Sequence, residues 1–417
     1  MKPFLKAAIN AALFGSSALV ATTASATNKE LLETLYENGG INKAQYEKLL
    51  NQEAEKEVKM APMNDDLMEK LEWATRIKVK GDIRFRYENA QTNELEKDRE
   101  RIRARLAFLG KVNDEVDAEV RIATGSSSDN RSTNQSLGGS FSKKELWLDR
   151  AYIDWHPDWA YGAHAYFGKM AQVWYKEANL IWDDDINPEG IALAYTHEFA
   201  DTGLELTAVG GYYILEDSVD GDGNVFQFSG DMDMFHAGLS GHMEFNDMVS
   251  ANLGYNAYLY DDEDGNDGDG LLSGENNTSF ERGGITFGPK FSVHEITGSL
   301  EVKTDLLPIT VYGQYAHNSA ASSDLDNGWL MGIKTKYKDF KVGYDYRSMQ
   351  RDFAPGVFID SDFNNGETGA RGHRLKLAYE ISKHFSIGAT YFAAERFDHN
   401  DPARNYDTFQ LDLKAKF

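Results

Sequence analysis

The chain has 417 residues, with 67 acidic against 43 basic side chains, a formal charge of -24 and no cysteine. So acidic a balance argues against nucleic acid as a partner, because phosphate binding needs a dominant basic face. The missing cysteines exclude disulfides, a lipoprotein anchor, thiolate metal sites and a catalytic thiol.

Lys2 and Lys6 precede an apolar run from Ala7 to Val20, and Ala24-Ser25-Ala26 supplies a small-x-small cleavage pattern. We expect a secretory signal over 1–26, removed after Ala26. No later stretch is long enough to cross a bilayer as a helix, so membrane insertion would have to use strands. Residues 27–73 differ in pattern from the rest of the chain and are expected to form a helical periplasmic leader. Leu31, Leu32, Leu35 and Tyr36 recur at helical spacing, and Gly39-Gly40 ends that helix. Asn42 with Gln45 three residues on reads as a capping box opening a second helix through Tyr46, Leu49 and Leu50. A weaker amphipathic piece at Leu67, Met68 and Leu71 leads to Trp73.

From residue 74 to the end the pattern has period two. Ile77, Val79, Ile83, Phe85 and Tyr87 share one face, with Lys78, Lys80, Asp82, Arg84 and Arg86 on the other. The next segment sets Ile102, Ala104, Leu106, Phe108 and Val112 against Arg101, Arg103, Arg105 and Lys111, and a third alternates from Val116 to Ile122. Such segments are strands with one apolar and one wet face. Further strands are expected at about 146–156, 161–168, 190–198, 203–215, 232–243, 248–260, 284–303, 308–317, 328–337, 340–350, 372–382, 385–396 and 407–417. That makes about sixteen, an even number as a single-chain barrel requires. Short connections such as Asn113-Asp114 and Lys338-Asp339 take turns with long polar ones. This is the rhythm of a transmembrane antiparallel β-barrel rather than of a soluble sandwich. Trp155, Trp159, Tyr161, Trp329, Tyr337 and Phe340 fall near strand ends, where interfacial girdles form. Closure leaves no unpaired edge in lipid.

The last strand sets Phe409, Leu411, Leu413, Ala415 and Phe417 against Gln410, Asp412, Lys414 and Lys416. It resembles the terminal strand of bacterial outer-membrane proteins. The resemblance implies a strand that closes the barrel, with Phe417 as the signal read by the barrel assembly machinery, and residence in the Gram-negative outer membrane among lipid and lipopolysaccharide. Leu148-Asp149-Arg150-Ala151-Tyr152-Ile153-Asp154-Trp155 resembles the putative-porin branch of the Gram-negative porins, and Trp182 to Gly190 resembles the acidic stretch and Pro-Glu turn of their third loop. The leader is similar to those of several porin families, including phosphate-selective ones. The resemblance implies a third loop that folds inward and, from the general porins, a homotrimer.

About sixteen strands leave an aqueous channel. Arg84, Arg86, Arg101, Arg103 and Arg105 would stand close together on its wall, and like charges so placed repel. One reading opposes them with Asp183, Asp184, Asp185 and Glu189 on an inward loop, which would create a transverse field favouring small polar solutes. The other lets the arginines hydrate the wall and pair with Asp82, Asp117 or Glu119. Asp261 to Gly270 is oxygen-rich and glycine-spaced, but lacks the helices and closing Glu of a calcium loop. It reads as a solvated loop that at most holds divalent cations loosely. His236, Ser240 and His242 share a polar face without an oriented third partner, so no catalysis is expected. The function expected is passive diffusion of small hydrophilic solutes and ions without a cofactor. An anion- or phosphate-selective pore, or a barrel-anchored adhesin or receptor, are the alternatives.

Overall fold

The structure is a computed structural model. It describes residues 32–38, 40–51, 74–92, 94–216, 232–262, 277–278, 280–282, 285–287, 290–398 and 401–417. The expected signal at 1–26, the piece at Leu67–Leu71 and residues 263–270 of the acidic loop lie outside the described residues. The chain divides into Met1–Lys78 and Val79–Phe417.

In the first unit, helices at 32–37 and 43–51 follow the expected pattern. The capping box forms: Gln45 N donates to Asn42 Oδ1 at 2.9 Å and Asn42 N donates to Gln45 Oε1 at 3.0 Å. The first helix ends with Gly40 N donating to Leu35 O at 2.8 Å, and Tyr36 stacks on Tyr46 with ring centroids 4.9 Å apart.

The second unit is a closed antiparallel barrel of sixteen long strands, numbered here β1 Ile77–Thr92, β2 Glu96–Lys111, β3 Val116–Thr124, β4 Leu146–Trp155, β5 Ala163–Lys169, β6 Glu189–Phe199, β7 Leu204–Glu216 and β8 Met232–Asn246. They continue as β9 Val249–Asp262, β10 Ser292–Lys303, β11 Pro308–Asn318, β12 Asn327–Tyr337, β13 Phe340–Met349, β14 Ala370–Ser382, β15 Phe385–Asp398 and β16 Asp401–Lys416. β16 pairs back onto β1 in the register Arg84↔Lys414 and Arg86↔Asp412, which closes the ring. The alternation read from the sequence sorts the faces. Ile83, Phe85, Leu411 and Leu413 are exposed on the outer wall, while Arg86, Glu88 and Gln410 are buried on the inner one.

One expected strand is corrected. The stretch 284–303 does not run as one element: Ile285–Phe287 pairs with Phe280–Arg282 in a separate small hairpin, and the barrel strand begins at Ser292. The stretch Ile285-Thr286-Phe287 has the right composition for a strand, but its partner is local. Trp155, Trp159, Tyr161, Tyr337 and Phe340 gather at the short-turn rim, and all are exposed.

Two loops fold into the barrel and narrow its interior. A large apolar cluster joins two loops, 170–188 and 350–369, to apolar side chains of the inner wall. Trp174, Leu180, Ile181 and Trp182 come from the first; Phe353, Phe358, Ile359 and Phe363 come from the second. Each such side chain contributes about 1.5–3 kcal/mol when fully buried. That is why these segments fold inward rather than extend into solvent.

Candidate functional site

The inner face of β1 and β2 carries the expected arginines, and the structure gives most of them specific partners. Asp82 sits between two: Arg103 donates to its Oδ1 at 2.8 and 3.0 Å, and Arg105 donates to its Oδ2. Arg86 grips Asp412 through Nε and Nη2 at 2.7 and 3.0 Å, and its Nη1 reaches Asp362 at 3.0 and 3.1 Å. Arg84 donates to Asn134 Oδ1 at 2.6 Å. Arg101 lies 3.6 Å from Glu88 and donates to Ser132 Oγ at 3.3 Å. Of the partners expected on the wall itself, Asp82 serves. Asp117 faces His156, and Glu119 accepts from Tyr152 and lies 3.7 Å from Arg150.

Loop 170–188 crosses the lumen from wall to wall. On one side Glu177 N donates to Thr297 Oγ1, Leu180 N to Gln314 Oε1 and Asn256 Nδ2 to Tyr175 O. The acceptors and donors on the wall converge on Glu295, which is 1% exposed and accepts from Asn256, Tyr258 and Gln314. On the far side Asp185 Oδ2 accepts from Thr133 N and Oγ1 at 3.1 and 2.8 Å, and its Oδ1 lies 3.5 Å from Arg105. Asp184 is exposed toward the lumen and pairs with Lys176 at 3.0 Å. Asp183 is buried and accepts from the backbone of Asp185 and Ser361, both at 2.9 Å. Burial, with Asp360 and Asp185 nearby, pushes its carboxyl well above the usual range. Glu189 stands apart from this group: it is the first residue of β6 and pairs with Lys169.

The second inward loop, 350–369, carries no charge motif that marks it in the sequence. It docks on the first through Asp183 N donating to Phe358 O at 2.8 Å and through Trp182 stacked on Phe358 at 4.9 Å. Arg347, fully buried on β13, fastens both: it donates to Asn179 O at 3.2 Å and to Asp360 at 2.9 Å, and lies over the Phe363 ring. Arg131 from loop 125–145 donates to Gly356 O and Gly366 O. The signal that reveals this loop is its four large apolar residues, which a solvated connection has no reason to carry.

These elements line a polar cavity of about 280 Å³, to which the barrel wall contributes Arg84, Arg86 and Arg103 and the inward loop contributes Asp183, Asp184 and Asp185. Arg131, Lys376, Arg374, Asp360, Asp362, Asp412 and Lys414, none of them among the expected acidic loop or arginine wall, complete its charge. Arg101, Arg105 and Glu189 are not part of that lining. Two histidines on β8 are held by asparagines: His236 Nε2 by Asn256 at 3.1 Å and His242 Nδ1 by Asn252 at 2.8 Å. Neither bonds Ser240 among the described residues.

Residues 89–286 and 299–417 match the model of a family described as putative porin. Among solved structures, the chain is similar to OprB of Pseudomonas putida in its high-pH structure, at 11% identity and a TM-score of 0.54, over 84% of this chain and 96% of that one. The outer-membrane channel DcaP of Acinetobacter baumannii matches at 11% identity and a TM-score of 0.48, over 82% and 97% of the two chains. A loop-deleted form of OmpT, an outer-membrane protein of Vibrio cholerae, gives 13% identity and 0.47, over 82% and 100%. No curated protein matches the chain.

Proposed function

The chain belongs to the putative porin family, and from that premise we propose that this outer-membrane channel passes small hydrophilic solutes and ions by passive diffusion through the charged cavity between the arginine wall and loop 170–188. The observation that carries the reading is the cavity's mixed lining, with arginines from β1 and β2 and aspartates 183–185 from the inward loop around one polar space. Opposed charges across a narrow lumen create a transverse field, which orders water and disfavours apolar solutes. The apolar bodies of the two loops pack against other parts of the inner wall, and the charged cavity is the route that suits a hydrated solute.

Single-channel recording of purified protein in a planar bilayer tests this. Discrete conductance steps that admit small uncharged sugars, measured by vesicle swelling, are the expected result. A correctly folded barrel without conductance overturns it. Homotrimeric assembly is part of the same proposal and rests on resemblance to general porins; cross-linking of detergent-extracted protein that yields only monomer removes it.

A further inference from the structure

Arg84 and Lys414 stand directly opposite one another across the β1–β16 seam, and both line the polar cavity. A like-charge pair in that position destabilises the ladder unless something negative lies between. Of the carboxylates beside the pair, Asp412 spends both oxygens on Arg86 and comes within 3.8 Å of Arg84, and Asp82 spends both of its own on Arg103 and Arg105. The Nε of Arg84 is buried with no hydrogen-bond partner. Lys414 forms no ion pair among the described residues, and neither does Lys376 farther along the cavity. The carboxylates of the lining are differently placed. Asp184 is held by Lys176, Asp185 by Thr133 and Arg105, Asp360 by Arg347 and Asp362 by Arg86. Charge left over in this cavity is therefore positive, and it is concentrated at one seam. Ser386 stands opposite Lys414 on the other side and adds a hydroxyl.

We propose that Arg84, Lys414 and Ser386 form an oxyanion subsite on the channel wall, which takes the carboxylate or phosphate group of a small free solute as it passes, with Lys376 extending the positive path. The inference rests on the diffusion reading and deepens it by naming a preferred solute class. Lys414 offers an ammonium beside the Arg84 charge and the Ser386 hydroxyl, a set that suits an oxyanion rather than a hydroxyl-only sugar. Because the ammoniums are unpaired, the solute gains charge-assisted hydrogen bonds without first breaking an internal ion pair.

The test uses the full-length protein in planar bilayers, with succinate and inorganic phosphate as separate probes of the chloride current. The wild type should favour chloride over potassium in a salt gradient and be blocked by at least one probe; block by one alone narrows the class to carboxylate or phosphate. Lys414→Gln should weaken the block about tenfold, the loss for one charge-assisted hydrogen bond, while Lys414→Arg retains it. Ser386→Ala serves as a second, milder variant should Lys414→Gln fold poorly, and Lys111→Gln, at a short turn outside the cavity, should leave the block unchanged. Conductance without block by either probe, or block unaltered in both Lys414→Gln and Ser386→Ala, overturns the subsite and leaves the channel standing. A folded barrel that conducts nothing overturns the channel reading itself.

Discussion

Gly81 and Phe417 exchange both backbone hydrogen bonds, each 3.0 Å long, and the Phe417 ring lies across the glycine. A Cβ at position 81 would meet the ring and the carbonyl oxygen of Arg105, both at 2.6 Å. The strand therefore needs glycine here for steric reasons, since the aromatic ring and the β2 backbone both approach the bare Cα. Gly81→Val is expected to lower the yield of folded barrel, read as loss of the heat-modifiable band in unheated gels. Phe417→Asp should do the same, because it puts a charge where a ring seals the seam. Normal folded yields in both variants would show that the seam closes without this contact.

Arg86 joins three segments by bonding Asp412 on β16 and Asp362 on loop 350–369. Arg86→Gln leaves two carboxylates without their cation, and breaking such a buried arrangement costs about 3–5 kcal/mol. Denaturant unfolding should show that loss at neutral pH. Burial raises the Asp362 carboxyl, but Arg86 and Arg84 outweigh it and hold the group well below the usual range. A depressed folded value gives stability that is present above the unfolded carboxylate value of about 4 and lost as pH falls below it. The wild type should therefore weaken on acidification below about pH 4, and Arg86→Gln should weaken less over the same interval. Parallel acid profiles would mean that this ion pair contributes little.

The barrel is legible in the sequence because its physics is local. Lipid outside and water inside force alternation within each strand, so Phe85 and Arg86 declare their faces without any long-range information. The same holds for the capping box at Asn42 and Gln45. Pairing of the wall with the lumen loops is only half legible. Asp185 and Arg105 are 80 residues apart, and their meeting depends on how loop 170–188 crosses the barrel. Glu189 reads as part of the acidic loop because it is adjacent in sequence, yet the strand begins there and turns it toward Lys169. Loop 350–369 has the length of a polar connection, but Phe353, Phe358, Ile359 and Phe363 need somewhere to be buried. Lys376 and Lys414 alternate as ordinary wall residues, and only the register shows that Lys414 faces Arg84.

Asp183 should respond to pH in the direction opposite to Asp362. Its raised carboxyl stays protonated in the folded loops to higher pH than in an unfolded chain, so the contact is most stable at low pH. That stability declines as pH rises from the unfolded value of about 4 toward the raised folded one. Current noise or protease cutting in loop 350–369 should therefore increase with alkalinity. Asp183→Asn cannot ionise and should show a flat profile. An equally steep rise in the variant would assign the effect to another group.

Asp184 is the acidic residue of the loop that meets solvent in the cavity, with Asp183 and Asp185 committed to holding backbone and wall. Asp184→Asn is expected to shift the zero-current potential toward anions in a salt gradient, and Arg84→Gln to shift it toward cations. Both shifts should shrink in 1 M salt, where the Debye length is about 3 Å against about 10 Å at 0.1 M. Selectivity unchanged in Asp184→Asn would mean that ions do not pass this face of the loop.

Trp182 and Phe358 make the ring contact that locks one inward loop to the other, with centroids 4.9 Å apart and planes 16° from parallel. Trp182 also packs on Trp174 and Tyr258, so it is the point where both loops meet the β9 wall. Truncation of a buried aromatic to alanine costs about 3–5 kcal/mol. Here the loss falls on the docking of the loops more than on the barrel, whose strands keep their ladders. Trp182→Ala and Phe358→Ala should thus insert and remain heat-modifiable while giving larger, noisier single-channel steps, as the loops loosen and the polar path widens. The double variant should add little to either single one, because the contact is shared. Steps of wild-type size in all three variants would mean that the loops are held by the Arg347 and Arg131 bonds alone.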